Sequence, residues 1–128
     1  MNKRIIATGA FLGMIAIILG AFGAHALKKV LPPEQLITFE TGVRYQIYQA
    51  FFLFFLATQN DLLEKTKKTI YTLNVIGVLF FSGSIYLLST SSLTAINFKS
   101  IGFITPIGGL LLIIAWGMLG YSTLKNKA

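Results

Sequence analysis

Residues 5–26 read IIATGAFLGMIAIILGAFGAHA and follow the basic pair Lys3-Arg4. No acidic or basic residue interrupts the stretch before His25. About 20 apolar residues in an α-helix match the roughly 30 Å hydrocarbon core of a bilayer. In lipid every backbone N–H and C=O must find a partner within the segment, so a helix is the expected form. Three comparable runs follow, at roughly 39–57, 69–89 and 101–124. Together they predict an all-α membrane protein, a single domain over residues 1–128 with helices at about 5–26, 33–58, 69–89 and 101–124.

Composition points the same way. The chain is 55% hydrophobic and 12% charged, with a mean hydropathy of +0.74. A soluble domain carries about 25% charged residues. The absence of cysteine removes a disulfide framework, a thiolate metal site and a cysteine nucleophile. The net charge of +7 is dispersed in short clusters between apolar runs. That pattern fits topology signals and lipid headgroups rather than nucleic acid.

The connections refine the boundaries. Pro33 and Glu34 suit a first helical turn, by fixed φ and by the helix dipole. Helix two is therefore expected to start near Pro33, with residues 35–45 amphipathic at headgroup level. With the N-terminus inside, the inner side carries Lys3, Arg4, Lys65, Lys67, Lys68, Lys125 and Lys127. The outer side carries Lys28, Lys29, Arg44 and Lys99. The excess on the first side predicts that both termini are cytoplasmic, in a multi-pass protein of the cell membrane. Ala24-His25-Ala26 also fits a signal-peptide cleavage site. The apolar stretch before it exceeds the usual h-region of about 7–15 residues, so a retained first helix is expected.

Small residues mark packing faces. Gly9, Gly13, Ala16, Gly20 and Ala24 form one stripe on helix one, and Gly102, Thr105, Gly109, Trp116 and Gly120 recur at compatible spacing on helix four. Close helix approach is expected at Gly9, Gly13, Gly20, Gly23, Gly83, Gly109 and Gly120. Such faces close either a monomer or a homo-oligomer.

Polar residues gather at one depth in this topology. His25 ends helix one, and Tyr45, Gln46 and Gln49 lie on helix two. Ser82, Ser84 and Tyr86 lie on helix three, and Thr105 and Pro106 on helix four. Polar groups inside a bilayer are costly unless paired or hydrated. They are expected to converge as an outer-half layer, either as interhelical hydrogen bonds or around a cavity. Pro106 is expected to kink its helix and free a carbonyl near residue 102. Glu40 and Arg44, spaced i and i+4, read as a self-neutralised pair, or Arg44 with Lys28 or Lys29 as a clamp for a lipid phosphate. His25 is the only histidine, and with no ligand at suitable spacing neither a metal nor a cofactor is expected.

Four blocks resemble a known family. They are Leu19-Gly20-Ala21-Phe22-Gly23-Ala24-His25, Thr41-Gly42-Val43-Arg44-Tyr45-Gln46, Phe81-Ser82-Gly83-Ser84-Ile85-Tyr86, and Thr105-Pro106-Ile107-Gly108-Gly109 with Ala115-Trp116. They resemble the small membrane family called domain of unknown function 423, or uncharacterised protein family 0382, to which animal transmembrane protein 256 is similar. The resemblance implies a four-helix membrane protein and no particular reaction. It also implies a second histidine where this chain has Gln49, a position that keeps hydrogen-bonding capacity.

Three functions fit these residues. The first is non-enzymatic binding of a lipid, a small hydrophobe or a protein partner through the polar layer. The second is a small oligomeric transporter or channel, disfavoured because no carboxylate lies near the midplane. The third is an enzyme on an outer-leaflet lipid, with His25 as acid or base, which no nucleophile motif supports.

Overall fold

The structure is a computed structural model that describes residues 2–93 and 101–125. Four helices carry the fold: α1 (Asn2–His25), α2 (Pro33–Ala57), α3 (Glu64–Ser89) and α4 (Ile104–Lys125). Short 3₁₀ turns at Leu27–Lys29 and Ser91–Leu93 follow α1 and α3. Among the described residues there is no strand. Lys99 and Lys127, which enter the charge comparison, lie outside the described residues.

Each boundary has a local cause. Pro33 opens α2 where its missing N–H costs no hydrogen bond, and Glu34 sits in the first turn. α3 opens at Glu64 rather than at the apolar run, because the polar stretch Glu64–Lys68 is itself good helix former and needs no lipid to coil. α4 opens at Ile104, which puts Pro106 in its first turn. The first four N–H groups of a helix lack intrahelical acceptors, so Pro106 breaks no bond there. The expected kink and freed carbonyl are not needed.

α1, α3 and α4 are long and apolar enough to cross a membrane. α2 does not reach that composition, since Glu40, Arg44, Gln46 and Gln49 interrupt it. It nevertheless runs beside α1 on one flank and α3 on the other, while α4 packs on α3. The bundle therefore has a terminal end, with Asn2, the α2–α3 connection and Lys125, and a loop end, with the other two connections.

Two apolar clusters hold the ends. Ile5, Phe52, Leu53, Leu56, Ile70 and Ala115 pack near the terminal end. Leu27, Leu31 and Phe39 pack near the loop end. Lipid tails are as apolar as these side chains, so dispersion and close fit favour the bundle more than solvent exclusion does.

Glycine permits the closest contacts. A Cβ at Gly108 would run into the backbone N of Phe81 and stand 2.8 Å from the carbonyl carbon of Phe80. One at Gly42 would meet the Tyr86 ring at 2.8 Å, and one at Gly77 would meet Leu112 at 2.8 Å. On α1, Gly9 faces Phe54 and the Ala50 carbonyl, and Gly23 faces Phe39. Gly13, Gly20 and Gly109 have ordinary contacts at 3.5–3.8 Å. Among the described residues a Cβ at Gly83 or Gly120 would meet nothing within 4 Å, so no close approach within the chain is seen at either.

Candidate functional site

The polar residues separate into two buried networks between the apolar clusters. In the first, Gln46 Nε2 donates to the Leu12 carbonyl of α1 at 2.8 Å. Its Oε1 accepts from the Tyr86 hydroxyl at 2.6 Å. A carbonyl cannot donate, so the orientation of the Gln46 amide is chemically determined. Ser82 donates to the Gly42 carbonyl at 2.8 Å. Ser84 bonds the Thr105 hydroxyl and the Phe80 carbonyl, which ties α3 to α4. Gln46, Ser82 and Ser84 are all buried. These groups are spent on one another and on backbone, as interhelical bonds.

The second network is centred on Gln49. Its Oε1 accepts from Trp116 Nε1 at 2.9 Å and from Asn74 Nδ2 at 2.7 Å. An indole N–H can only donate, so the oxygen must face it and Nε2 must point elsewhere. That Nε2 has no hydrogen-bond partner among the described residues. Asn74 is fully buried and its Oδ1 has no hydrogen-bond partner among the described residues. Unpaired buried acceptors are uncommon and costly. One side chain each from α2, α3 and α4 thus contributes to this centre.

Gln49 also lines a groove of about 530 Å³. Tyr45, Tyr48 and Gln49 form its α2 wall, and Gly109, Leu112, Ile113 and Trp116 form its α4 wall, with Phe81 of α3 between them. Tyr45 packs against Phe81 at 5.1 Å and against Tyr48 at 5.3 Å between ring centroids. Trp116 stacks on Phe52 at 4.7 Å. The absence of a side chain at Gly109 leaves the α4 wall open. Tyr45, Tyr48, Ile113 and Trp116 are exposed at its rim, so the groove opens sideways, toward lipid.

Other expected site residues lie apart. His25 is exposed at the end of α1 and makes no side-chain hydrogen bond among the described residues. No hydrogen bond joins it to Gln46, Gln49 or Ser84, and it is the last residue of α1. Arg44 lies on the outer face of α2 and donates to Thr41 at 3.3 Å. It forms no ion pair with Glu40 among the described residues, contrary to the self-neutralised pair. Among the described residues no group of three His, Asp or Glu side chains could hold a metal.

Asn74, Trp116 and the close glycines Gly42, Gly77 and Gly108 were not singled out by sequence as a site. Asn74 had a signal: it is the only amide within the apolar run of helix three. Its equal depth with Gln49 follows once α2 and α3 are paired as antiparallel neighbours.

Comparison with known proteins agrees with the four blocks. Residues 19–109 match the profile of the family described as "Protein of unknown function (DUF423)". The chain is 38% identical over 125 residues to the UPF0382 membrane protein YwdK of Bacillus subtilis (strain 168), covering 96% of this chain and 98% of that protein. It is 37% identical over 123 residues to the UPF0382 membrane protein SH2409 of Staphylococcus haemolyticus, covering 96% and 97%. It is 32% identical over 128 residues to a UPF0382 membrane protein of Haemophilus influenzae, covering 100% and 99%. No solved structure matches.

Proposed function

The chain belongs to the DUF423 family of membrane proteins, and from that premise we propose that it is a non-enzymatic binder of a small membrane-dissolved molecule, held in the α2–α4 groove. One observation carries this reading: Gln49, whose Nε2 has no hydrogen-bond partner among the described residues, lines an otherwise aromatic and aliphatic groove. Ligand sites are typically apolar concavities with a few placed polar groups. The occupant that fits is a hydrophobe with one hydrogen-bond acceptor, such as an ester or ring carbonyl. Its apolar body would lie along Phe81, Leu112 and Ile113. The acceptor would take the Gln49 hydrogen.

The lysine and arginine distribution supports both termini on the cytoplasmic side of the cell membrane. Carriers coupled to protons use ionisable relays inside the membrane. The four carboxylates of this chain, Glu34, Glu40, Asp61 and Glu64, are all exposed and none lies in either polar network. This favours binding over proton-coupled transport.

The test is extraction into polymer-bounded lipid discs without detergent, followed by native mass spectrometry. Wild type is expected to retain an apolar molecule that Gln49→Leu and Gly109→Leu both lose, the first by removing the donor and the second by filling the groove. Retention unchanged in Gly109→Leu would rule out this groove as the site.

A further inference from the structure

The outer face of α2 carries charge among its exposed apolar side chains. Ile37, Thr41, Arg44, Tyr48, Phe51 and Phe55 are spaced four, three, four, three and four. That spacing places the six side chains along one face of the helix, the face a second helix would meet in a coiled pair. Yet this face lies opposite the contacts that α2 makes inside the chain. Ile37, Tyr48, Phe51 and Phe55 are 61%, 46%, 64% and 56% exposed. α2 is also the helix whose composition falls short of a lipid-crossing span.

Two charges sit on or beside this face without a complement among the described residues. Val43 lies against Gly20 of α1, since a Cβ on Gly20 would stand 3.5 Å from it. With about 30 Å of hydrocarbon starting at Ile5, the Arg44 backbone lies about 8 Å inside the loop-end boundary. Glu40 lies one turn nearer that boundary. Arg44 donates only to Thr41, and Glu40 has no hydrogen bond or ion pair among the described residues. An intramembrane charge is expensive unless it is paired. A partner that covers this face satisfies both charges by offering an anion to Arg44 and, one turn nearer the boundary, a cation to Glu40.

We propose that a second copy of this chain covers the outer face of α2, so that Glu40 of each copy pairs with Arg44 of the other across a two-fold axis normal to the membrane. A two-fold interface is self-complementary: if one residue meets another, the reverse contact also forms. One acidic and one basic residue on a single face satisfy that condition with no further partner. The separation of four residues is close to the reach of charge pairs that flank the seam of parallel helices. The aromatic residues Tyr48, Phe51 and Phe55 extend the contact toward the terminal end. Tyr48 belongs both to this face and to the rim of the α2–α4 groove, whereas Glu40, Arg44, Phe51 and Phe55 do not line the groove, and the test is read at those positions.

The lack of native cysteine permits a direct test by oxidative cross-linking in native membranes. Phe51→Cys is expected to form a covalent dimer, and Ile17→Cys, on the lipid-facing side of α1, is not. In the Phe51→Cys background, Glu40→Arg alone or Arg44→Glu alone places like charges together, and dimer yield is expected to fall at least about tenfold. Co-expressed with different tags, these two variants complement each other, and the mixed dimer is expected to return. Pairing within one helix cannot produce that rescue. Absence of a Phe51→Cys dimer, or equal cross-linking at Ile17→Cys, would overturn the proposal. So would unimpaired homodimers of both charge variants. A zwitterionic lipid headgroup satisfying both charges would give the first of these results.

Discussion

Trp116 Nε1 and Asn74 Nδ2 converge on the same oxygen of Gln49, at 2.9 and 2.7 Å. One acceptor thereby ties α2 to both α3 and α4. The arrangement uses both lone pairs of that oxygen and leaves the other end of the amide free.

Replacing Gln49 by Leu strands two donors. The expected loss of stability is about 1–3 kcal/mol, near the lower limit because interhelical hydrogen bonds in membranes are worth roughly 0.6–1.7 kcal/mol. Gln49→His retains a single acceptor nitrogen in its neutral form, so it should cost less than Gln49→Leu. The double variant Gln49→Leu/Asn74→Leu removes one orphan and should cost less than the sum of the single changes. Reversible unfolding in lipid discs measures all four.

Gly108→Ala drives a methyl group into the α3 backbone at Phe80 and Phe81. Overpacking of this kind costs about 1–3 kcal/mol, and backbone cannot swing aside as a side chain can. Gly117→Ala meets open space and should be neutral or stabilising by up to about 1 kcal/mol. If the two variants unfold alike, the α3–α4 contact is not where the structure puts it.

Lys67 is 1% exposed and its Nζ donates to Asn2 Oδ1 at 3.0 Å. Asn2→Ala removes that acceptor and leaves a buried amine with less support, an expected loss of about 1.5–3 kcal/mol. Lys67→Met removes the polar group together with its demand, so it should cost less than Asn2→Ala. A larger loss from Lys67→Met would show that the amine holds a further partner.

Trp116 is the only tryptophan and is half exposed at the groove. Its fluorescence should be quenched by phospholipids brominated along the acyl chain, since the groove opens toward lipid. Gly109→Leu fills space beside it and should shift its emission. Unquenched emission in brominated bilayers would place Trp116 in a site closed to lipid.

Single cysteines address the membrane orientation. An impermeant thiol reagent added to intact cells should label Lys28→Cys and spare Lys65→Cys, given the excess of lysine and arginine at the terminal end. The reverse pattern would invert the assignment.

Much of the fold was legible in local sequence. Residues 5–26 must coil because lipid offers no partner for backbone groups, and their length matches the bilayer. Pro33 and Glu34 mark the α2 start for equally local reasons. The family resemblance could be seen in blocks such as Gly20-Ala21-Phe22-Gly23-Ala24-His25 because motifs are contiguous. Even the presence of Gln46, Gln49, Ser82 and Ser84 within apolar runs announced buried polar contacts.

Which of these residues meet was decided only by tertiary structure. In a soluble helix the polar face reports the outside, but here the lipid-facing and core-facing sides are both apolar. Hydrophobic periodicity therefore says little about helix rotation. Among the described residues Gly83 and Gly120 make no close contact, while Gly42, Gly77 and Gly108 hold close approaches that their sequence spacing did not mark. His25 was expected within the polar layer and is exposed at the end of α1. Gln49 reaches Asn74 and Trp116 because α2, α3 and α4 are rotated to bring three distant residues to one point. That rotation depends on the fit of whole helix faces, and no local stretch of this chain encodes it alone.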